Sequence, residues 1–374
     1  MKKLITSLML TLFILLSTGT ARAQDVIEFG EPIEQAPQEE TLEGKVIKIV
    51  EEENIKPVGG ENIQLFQKLQ VEITKGSLKG KNVTIDNGDV STVNVVRYKP
   101  GDNLVIFYGK NFEGKDTFYI TDYVRRLPLL ILFSIFVVLA TIIGGWQGLT
   151  SLFGMAVSFA VIFMIILPRI STGGNPIQAA ILGSLIIIPV TFLLSHGINK
   201  KTIVAISGTI IALVLTGILA TIFVEAANLS GFSTEEAGFL QNLLPGVINM
   251  KGLLLAGIII GVLGVLDDIT ISQSAIVQEL KKANPKLGPT EIYKRAMTVG
   301  KDHIASMVNT LILVYTGAAL PLLLLFINNP HPFTEVINYE IIADEVVRTL
   351  IGSVGLIMAV PITTVIASLA FKDK

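Results

Sequence analysis

Asp267 and Asp268 stand side by side inside an apolar stretch, residues 252–277, that is long enough to cross a membrane. A charged side chain near the bilayer centre costs at least ~2.5–3.5 kcal/mol. An acidic pair therefore persists there only if something pairs with it, hydrates it or needs it. Thr270, Ser272, Gln273 and Ser274 follow and carry the polar character onward. Carboxylate, hydroxyl and amide oxygens form a hard-ligand set suited to a proton, sodium or magnesium. Two neighbouring carboxylates repel when both are ionised, and a bound proton or cation relieves that repulsion. The chemistry expected is reversible binding of a proton or cation within a membrane span.

A helix has to position these groups. At 100° per residue, Asp267, Thr270 and Ser274 share ~60° of its circumference, with Asp268 and Ser272 on the adjoining flank. A lipid-facing helix cannot carry so broad a polar arc, so this half is expected to face protein or a wet cavity. Gly257, Gly261 and Gly264 in the other half are spaced for close helix packing. The next apolar stretch, 304–327, offers partners in Asp302, His303, Ser306, Asn309 and Thr310. At 1.5 Å per residue, Asp267 lies ~15 Å and Asn309 ~10 Å from the cytoplasmic ends of antiparallel helices. The two sets are therefore expected to meet as one polar site. For His303 a structural hydrogen bond is weighed ahead of a proton relay. Residues 290–300 are read as an interfacial helix between the two spans.

The run Gly264-Val265-Leu266-Asp267-Asp268-Ile269-Thr270-Ile271-Ser272-Gln273-Ser274, followed by Val277-Gln278-Glu279-Leu280, closely resembles the signature of the YibE/F-like family of bacterial multi-pass membrane proteins. So does Ala296-Met297-Thr298-Val299-Gly300-Lys301-Asp302-His303-Ile304-Ala305-Ser306, followed by Val308-Asn309-Thr310-Leu311 and Pro321-Leu322-Leu323-Leu324. The resemblance covers about residues 126–369, more loosely the part before it, and Lys301 replaces an Arg more usual there. It implies a permease-like membrane domain and names no solute.

Composition agrees with a membrane class. Hydrophobic residues make up 51% of the 374, and only 16% are charged, against roughly 25% in soluble domains. A net charge of −2 gives no electrostatic case for nucleic acid or anionic lipid as a partner. The absence of cysteine excludes disulfides, thiol nucleophiles and Cys-ligated metals.

Residues 1–23 read as a signal peptide: Lys2 and Lys3, an apolar core, and Ala21-Arg22-Ala23 as cleavage site. An uncleaved anchor is the alternative. Residues 24–40, rich in Glu, Gln and Pro, read as a disordered leader. Five short alternating stretches within 41–124 predict a small extracytoplasmic β-barrel-like domain, OB-like or SH3-like. With 18 acidic and 11 basic residues over 24–122 and no aromatic stripe, that domain is not expected to bind oligonucleotides.

Residues 125–374 are expected to form an α-helical polytopic membrane domain with seven transmembrane helices, near 127–144, 148–167, 176–194, 202–224, 252–277, 304–327 and 348–370. The lysines and arginines concentrate in the segments that this arrangement puts inside. The outside loops, 225–251 and 328–347, hold seven acidic residues and one base. That is the positive-inside pattern, with a cytoplasmic C-terminus; the resemblance implies a bacterial cell membrane location.

Three classes of function compete. The leading expectation is a secondary transporter or permease for an unidentified small solute or ion. The second is a non-transporting accessory, assembly or sensory protein whose β-domain binds a partner. An enzyme is not expected. Asp267 lacks the Gly-x-Gly-Asp setting of intramembrane aspartyl proteases, Asp268 is followed by Ile269-Thr270-Ile271 rather than a further aspartate, and no P-loop or His-rich zinc motif occurs. No cofactor is called for. Partners expected are the lipid bilayer, a solute or ion, and a second copy or another membrane protein.

Overall fold

A computed structural model describes residues 39–92, 95–111, 114–327 and 332–371. The expected signal peptide, 1–23, lies outside the described residues, as does most of the leader; Glu40 already opens the first strand. The chain divides into two compact units, one ending at Ile131 and one beginning at Leu132.

The first unit holds five strands, one over each of the five alternating stretches: β1 (Glu40–Ile55), β2 (Gln64–Lys75), β3 (Asn82–Asn87), β4 (Asn103–Lys110) and β5 (Asp116–Tyr123). They form one antiparallel sheet in the order β3-β2-β1-β4-β5. The register of β1 against β2 slips at three places, and such irregularities bend and twist a sheet into a half-barrel. Alternation places Leu42, Val46, Leu69, Val71, Leu104 and Ile106 on the buried face. Each such burial is worth ~1.5–3 kcal/mol. Gln67, wholly buried, donates to the Tyr98 carbonyl (3.0 Å) and accepts from the Tyr98 amide (2.8 Å), pinning the segment before β4 to the sheet.

The second unit is helical. α1 (Arg126–Val161) is broken at Gly145, whose φ of 55° and ψ of −137° reverse the chain. A Cβ at Gly148 would lie 2.0 Å from the Ala140 carbonyl oxygen, whereas residues eight apart in one straight helix are ~12 Å apart. The two halves of α1 therefore fold back on each other. A π-helical turn, Ile162–Ile166, and α2 (Leu167–Ser171) follow. Next come α3 (Pro176–His196), α4 (Lys200–Ala226), the short α5 (Glu235–Leu243) and α6 (Met250–Ala283). Asparagine caps begin the three long ones. Asn175, Asn199 and Asn249 accept from the backbone amides of Ile177, Thr202 and Gly252 at 2.9–3.0 Å.

α7 (Pro289–Ala318) and α8 (Leu320–Ile327) are bent by 70° at Ala319. Pro321, which has no amide hydrogen to donate and crowds the preceding turn, accounts for the break. After α9 (Phe333–Val336), α10 (Glu340–Ala370) ends the described chain. α4, α6 and α10 pack on one another; α3 lies against α6 and α4, and α7 against α10 and α6. Hydrocarbon gives apolar helices no hydrophobic reason to associate, so the bundle depends on close packing. A Cβ at Gly208 of α4 would sit 2.3 Å from Thr363 Oγ1 of α10, and one at Gly355 of α10 would sit 2.4 Å from Thr216 Oγ1 of α4. Only glycine permits that approach.

Five helical runs are long and apolar enough to cross a membrane, or six if the bent α7–α8 pair counts as one. The expected seven depends on dividing the first run, Arg126–Ser171, at Gly145. The expected interfacial helix over 290–300 is continuous with α7. The last helix starts eight residues before the expected span at 348; in its first turns Glu340 and Asp344 accept from Gly231 and Ser233, and Arg348 pairs with Glu345.

Candidate functional site

The face of α6 that carries Gly264, Asp267, Asp268, Ile271 and Ser272 repeats at three and four residues, so these side chains line up along one side of the helix. That side opens on a cavity of about 500 Å³. Across it stand Thr191, Ser195 and His196 of α3, and Gln147 and Ser151 from the second half of α1. Asp268 is exposed to the cavity, whereas Asp267 is half-buried, with one carboxylate oxygen, Oδ1, enclosed and without a hydrogen-bond partner. The Thr191 hydroxyl donates to its own helix, to the carbonyl of Ile187 at 2.9 Å. Its lone pairs thus remain free to receive a proton donor or a cation. Among the described residues no group of three or more His, Asp or Glu side chains converges as a metal cage. What the arrangement offers is two carboxyl groups facing neutral oxygens and one imidazole.

The remaining polar residues of α6 point elsewhere and bind helices together. Thr270 Oγ1 lies 2.7 Å from Thr209 Oγ1 on α4. Gln273 donates to Thr364 Oγ1 on α10 (2.8 Å) and to the Ala296 carbonyl on α7 (3.1 Å). Ser274 donates to the Lys201 carbonyl at 3.0 Å. Thr270, Gln273 and Ser274 are wholly buried. The polar arc read as one site is therefore two faces with different work: Asp267, Asp268 and Ser272 open on the cavity, and the other three form a lock.

α7 does run beside α6. Gln273 meets Ala296 near one end, and a Cβ on Gly261 would come within 3.7 Å of the Tyr315 hydroxyl near the other. Yet the face α7 presents inward is Ile292, Ala296, Gly300 and Leu311. Asp302, Ser306, Asn309 and Thr310 are exposed, His303 is half-buried, and none of the five lines the doublet's cavity. The structure does not bring them to the carboxylates as expected. Packing selected the small and apolar stripe, which left the polar stripe pointing outward. The cavity wall the sequence reading missed is α3 and the turn after Gly145. A signal was present: Thr191 and Ser195, and Gln147 and Ser151, are polar pairs at i,i+4 in otherwise apolar runs.

A family model described as YibE/F-like protein matches residues 132–373. The chain belongs to the YibE/F-like family. The YibE/F-like region starts where the helical unit starts, at Leu132, and contains both signature stretches and the whole cavity. The β-sheet unit lies outside it. No curated protein and no solved structure matches the chain significantly.

Proposed function

We propose that this YibE/F-like protein is a membrane permease of the secondary-transporter type, in which Asp267 and Asp268 bind a proton or cation that is coupled to movement of a small solute. The observation that carries this reading is the cavity on the doublet's side of α6, lined by both adjacent carboxylates and, among the described residues, by no lysine or arginine. An acidic pair kept only to lock helices would bond to those helices. Here Thr270, Gln273 and Ser274 do that on the adjoining flank of the helix, which weighs against a purely structural doublet and hence against the accessory-protein alternative. Binding one proton or monovalent cation removes the repulsion within the pair and changes the charge facing α1 and α3. A ligand bound more tightly in one arrangement of those helices than in another shifts the population between them.

In this reading α1 crosses twice through its reversal at Gly145, giving seven spans with the α7–α8 pair. The protein sits in the bacterial cell membrane, with the β-sheet unit outside and the C-terminus inside. The exposed polar stripe of α7 is covered by a second copy. Asn309 and Ser306 both donate and accept, so each can pair with its own symmetry mate. The neighbouring Lys301 and Asp302 supply opposite charges across a twofold axis.

Proteoliposomes test the permease reading. Wild-type protein is expected to carry a saturable proton or sodium flux that Asp268→Asn and the Asp267→Asn/Asp268→Asn pair abolish, with protein abundance unchanged. Flux indifferent to both substitutions, or a doublet variant that fails to accumulate, would overturn the proposal.

A further inference from the structure

A second cavity, of about 230 Å³, lies at the other end of α6; Gly257, Asp344, Arg348, Ser233, Thr234 and Glu236 are among its walls. Gly257 is ten residues from Asp267, so the two cavities are separated by ~15 Å along the helix. Two charged side chains here are each half satisfied. Asp344 is 3% exposed; its Oδ2 accepts from the Ser233 hydroxyl, while Oδ1 is enclosed and has no partner. Arg348, one turn further along α10, pairs through Nη1 with Glu345 at 3.0 Å, while its Nε is enclosed and has no partner. The site is held in shape from outside the cavity. Glu340 accepts from the Gly231 amide (3.0 Å) and the Ser230 hydroxyl (2.7 Å), clamping the 230–234 segment to the start of α10 and placing Ser233 over Asp344.

An enclosed charge with an unmet hydrogen-bonding arm is costly, because desolvation is not repaid. The two bare arms are of opposite kind, an acceptor at Asp344 and a donor at Arg348, on adjacent turns whose Cβ atoms are ~6 Å apart. A simple anion would satisfy Arg348 and be repelled by Asp344 and Glu236. A simple cation would satisfy Asp344 and leave Arg348 bare. A ligand carrying both an ammonium and a carboxylate covers both arms at once.

We infer that this cavity binds a small zwitterionic solute of the amino-acid type, its ammonium at the Asp344 carboxylate and its carboxylate at the Arg348 guanidinium. The inference rests on the permease reading and names the class of solute that such a protein would carry, with the doublet left to the coupling ion. Thr234, Glu236, Met250 and Leu254 complete the walls of a cavity of only about 230 Å³, so short, unbranched amino acids fit best.

Calorimetry on the full-length detergent-purified protein tests it, using glycine, 4-aminobutanoate and 5-aminopentanoate, with methylamine and acetate as half-ligands. At least one amino acid is expected to bind saturably in the millimolar range or tighter, with both half-ligands at least tenfold weaker. Asp344→Asn and Arg348→Lys are each expected to weaken that binding at least tenfold. Arg348→Lys keeps the charge and decides the point alone where Asp344→Asn is not recovered. The Asp267→Asn/Asp268→Asn protein is expected to bind the amino acid as wild type does while losing flux. If instead its flux persists with binding intact, the coupling role fails and the solute site stands. Absence of binding by every amino acid of the series to the wild-type protein would overturn the inference, as would equal binding of methylamine or acetate.

Discussion

Asp267 and Gln273 lie less than two turns apart on one helix and differ in what they owe the fold. Gln273 is enclosed and links three helices through Thr364 and Ala296. Its replacement by Leu removes both cross-helix hydrogen bonds, at a cost of about 1 kcal/mol, the usual size for interhelical hydrogen bonds in membranes. Asp267 makes no comparable bond through its side chain, and Oδ1 is bare. Replacement by Asn removes a poorly solvated charge and keeps the shape, so stability should hold or rise while any ion binding is lost. Thermal unfolding of the detergent-solubilised variants, read alongside flux, separates the two roles. Equal losses of melting temperature in Asp267→Asn and Gln273→Leu would show that the doublet is as structural as the lock.

At the scale of elements, the sheet is tied by carboxylates whose environment lowers their proton affinity. The Arg126 guanidinium, hydrogen-bonded to Glu43, holds that carboxyl below its ordinary value of 4.5, with Lys75 helping. Arg97 and then Gln67 do the same for Glu52. A carboxylate whose folded value is depressed contributes stability at pH above its unfolded value, and that contribution is lost as pH falls through the folded value. The sheet is therefore expected to loosen on acidification below about pH 4.5, the ordinary carboxylate value. Both side chains still touch solvent and their partners are exposed, so solvent screening keeps the effect modest. Hydrogen exchange, corrected for the intrinsic rate, should rise in peptides covering β1 and residues 95–99 between pH 7 and pH 3. Glu52→Gln should show part of that rise already at pH 7. Protection that stays flat down to pH 3 would remove the ion pairs from any account of this unit's stability.

For the molecule as a whole, legibility follows from how many physical readings each pattern admits. A half-buried strand must alternate, and the alternation placed all five strands. Apolar length likewise marked where α3, α4 and α6 run. The gap between the expected spans 127–144 and 148–167 marked the reversal in α1. A polar stripe on a membrane helix is different, since it satisfies the bilayer equally well facing a cavity or facing another chain. Ser306 and Asn309 were therefore assigned to the doublet, while packing turned them outward. The α3 wall stayed hidden because threonine and serine in an apolar helix bond back to their own carbonyls, as Thr191 does, and so do not advertise a cavity.

The outward stripe makes the proposed second copy directly testable. The chain has no cysteine, so a single cysteine reports its own neighbours without background. Placed at Asn309 or Ser306 and oxidised in native membranes, it should give a disulfide-linked dimer. The same residue at Ile218 of α4 or Leu185 of α3, both also exposed but on apolar faces without polar groups to cover, should not. Cross-linking no greater at 306 and 309 than at 185 and 218 would mean that the α7 stripe meets something other than a copy of itself. The monomer would then have to hydrate Asn309 by tilting or by thinning the bilayer around α7.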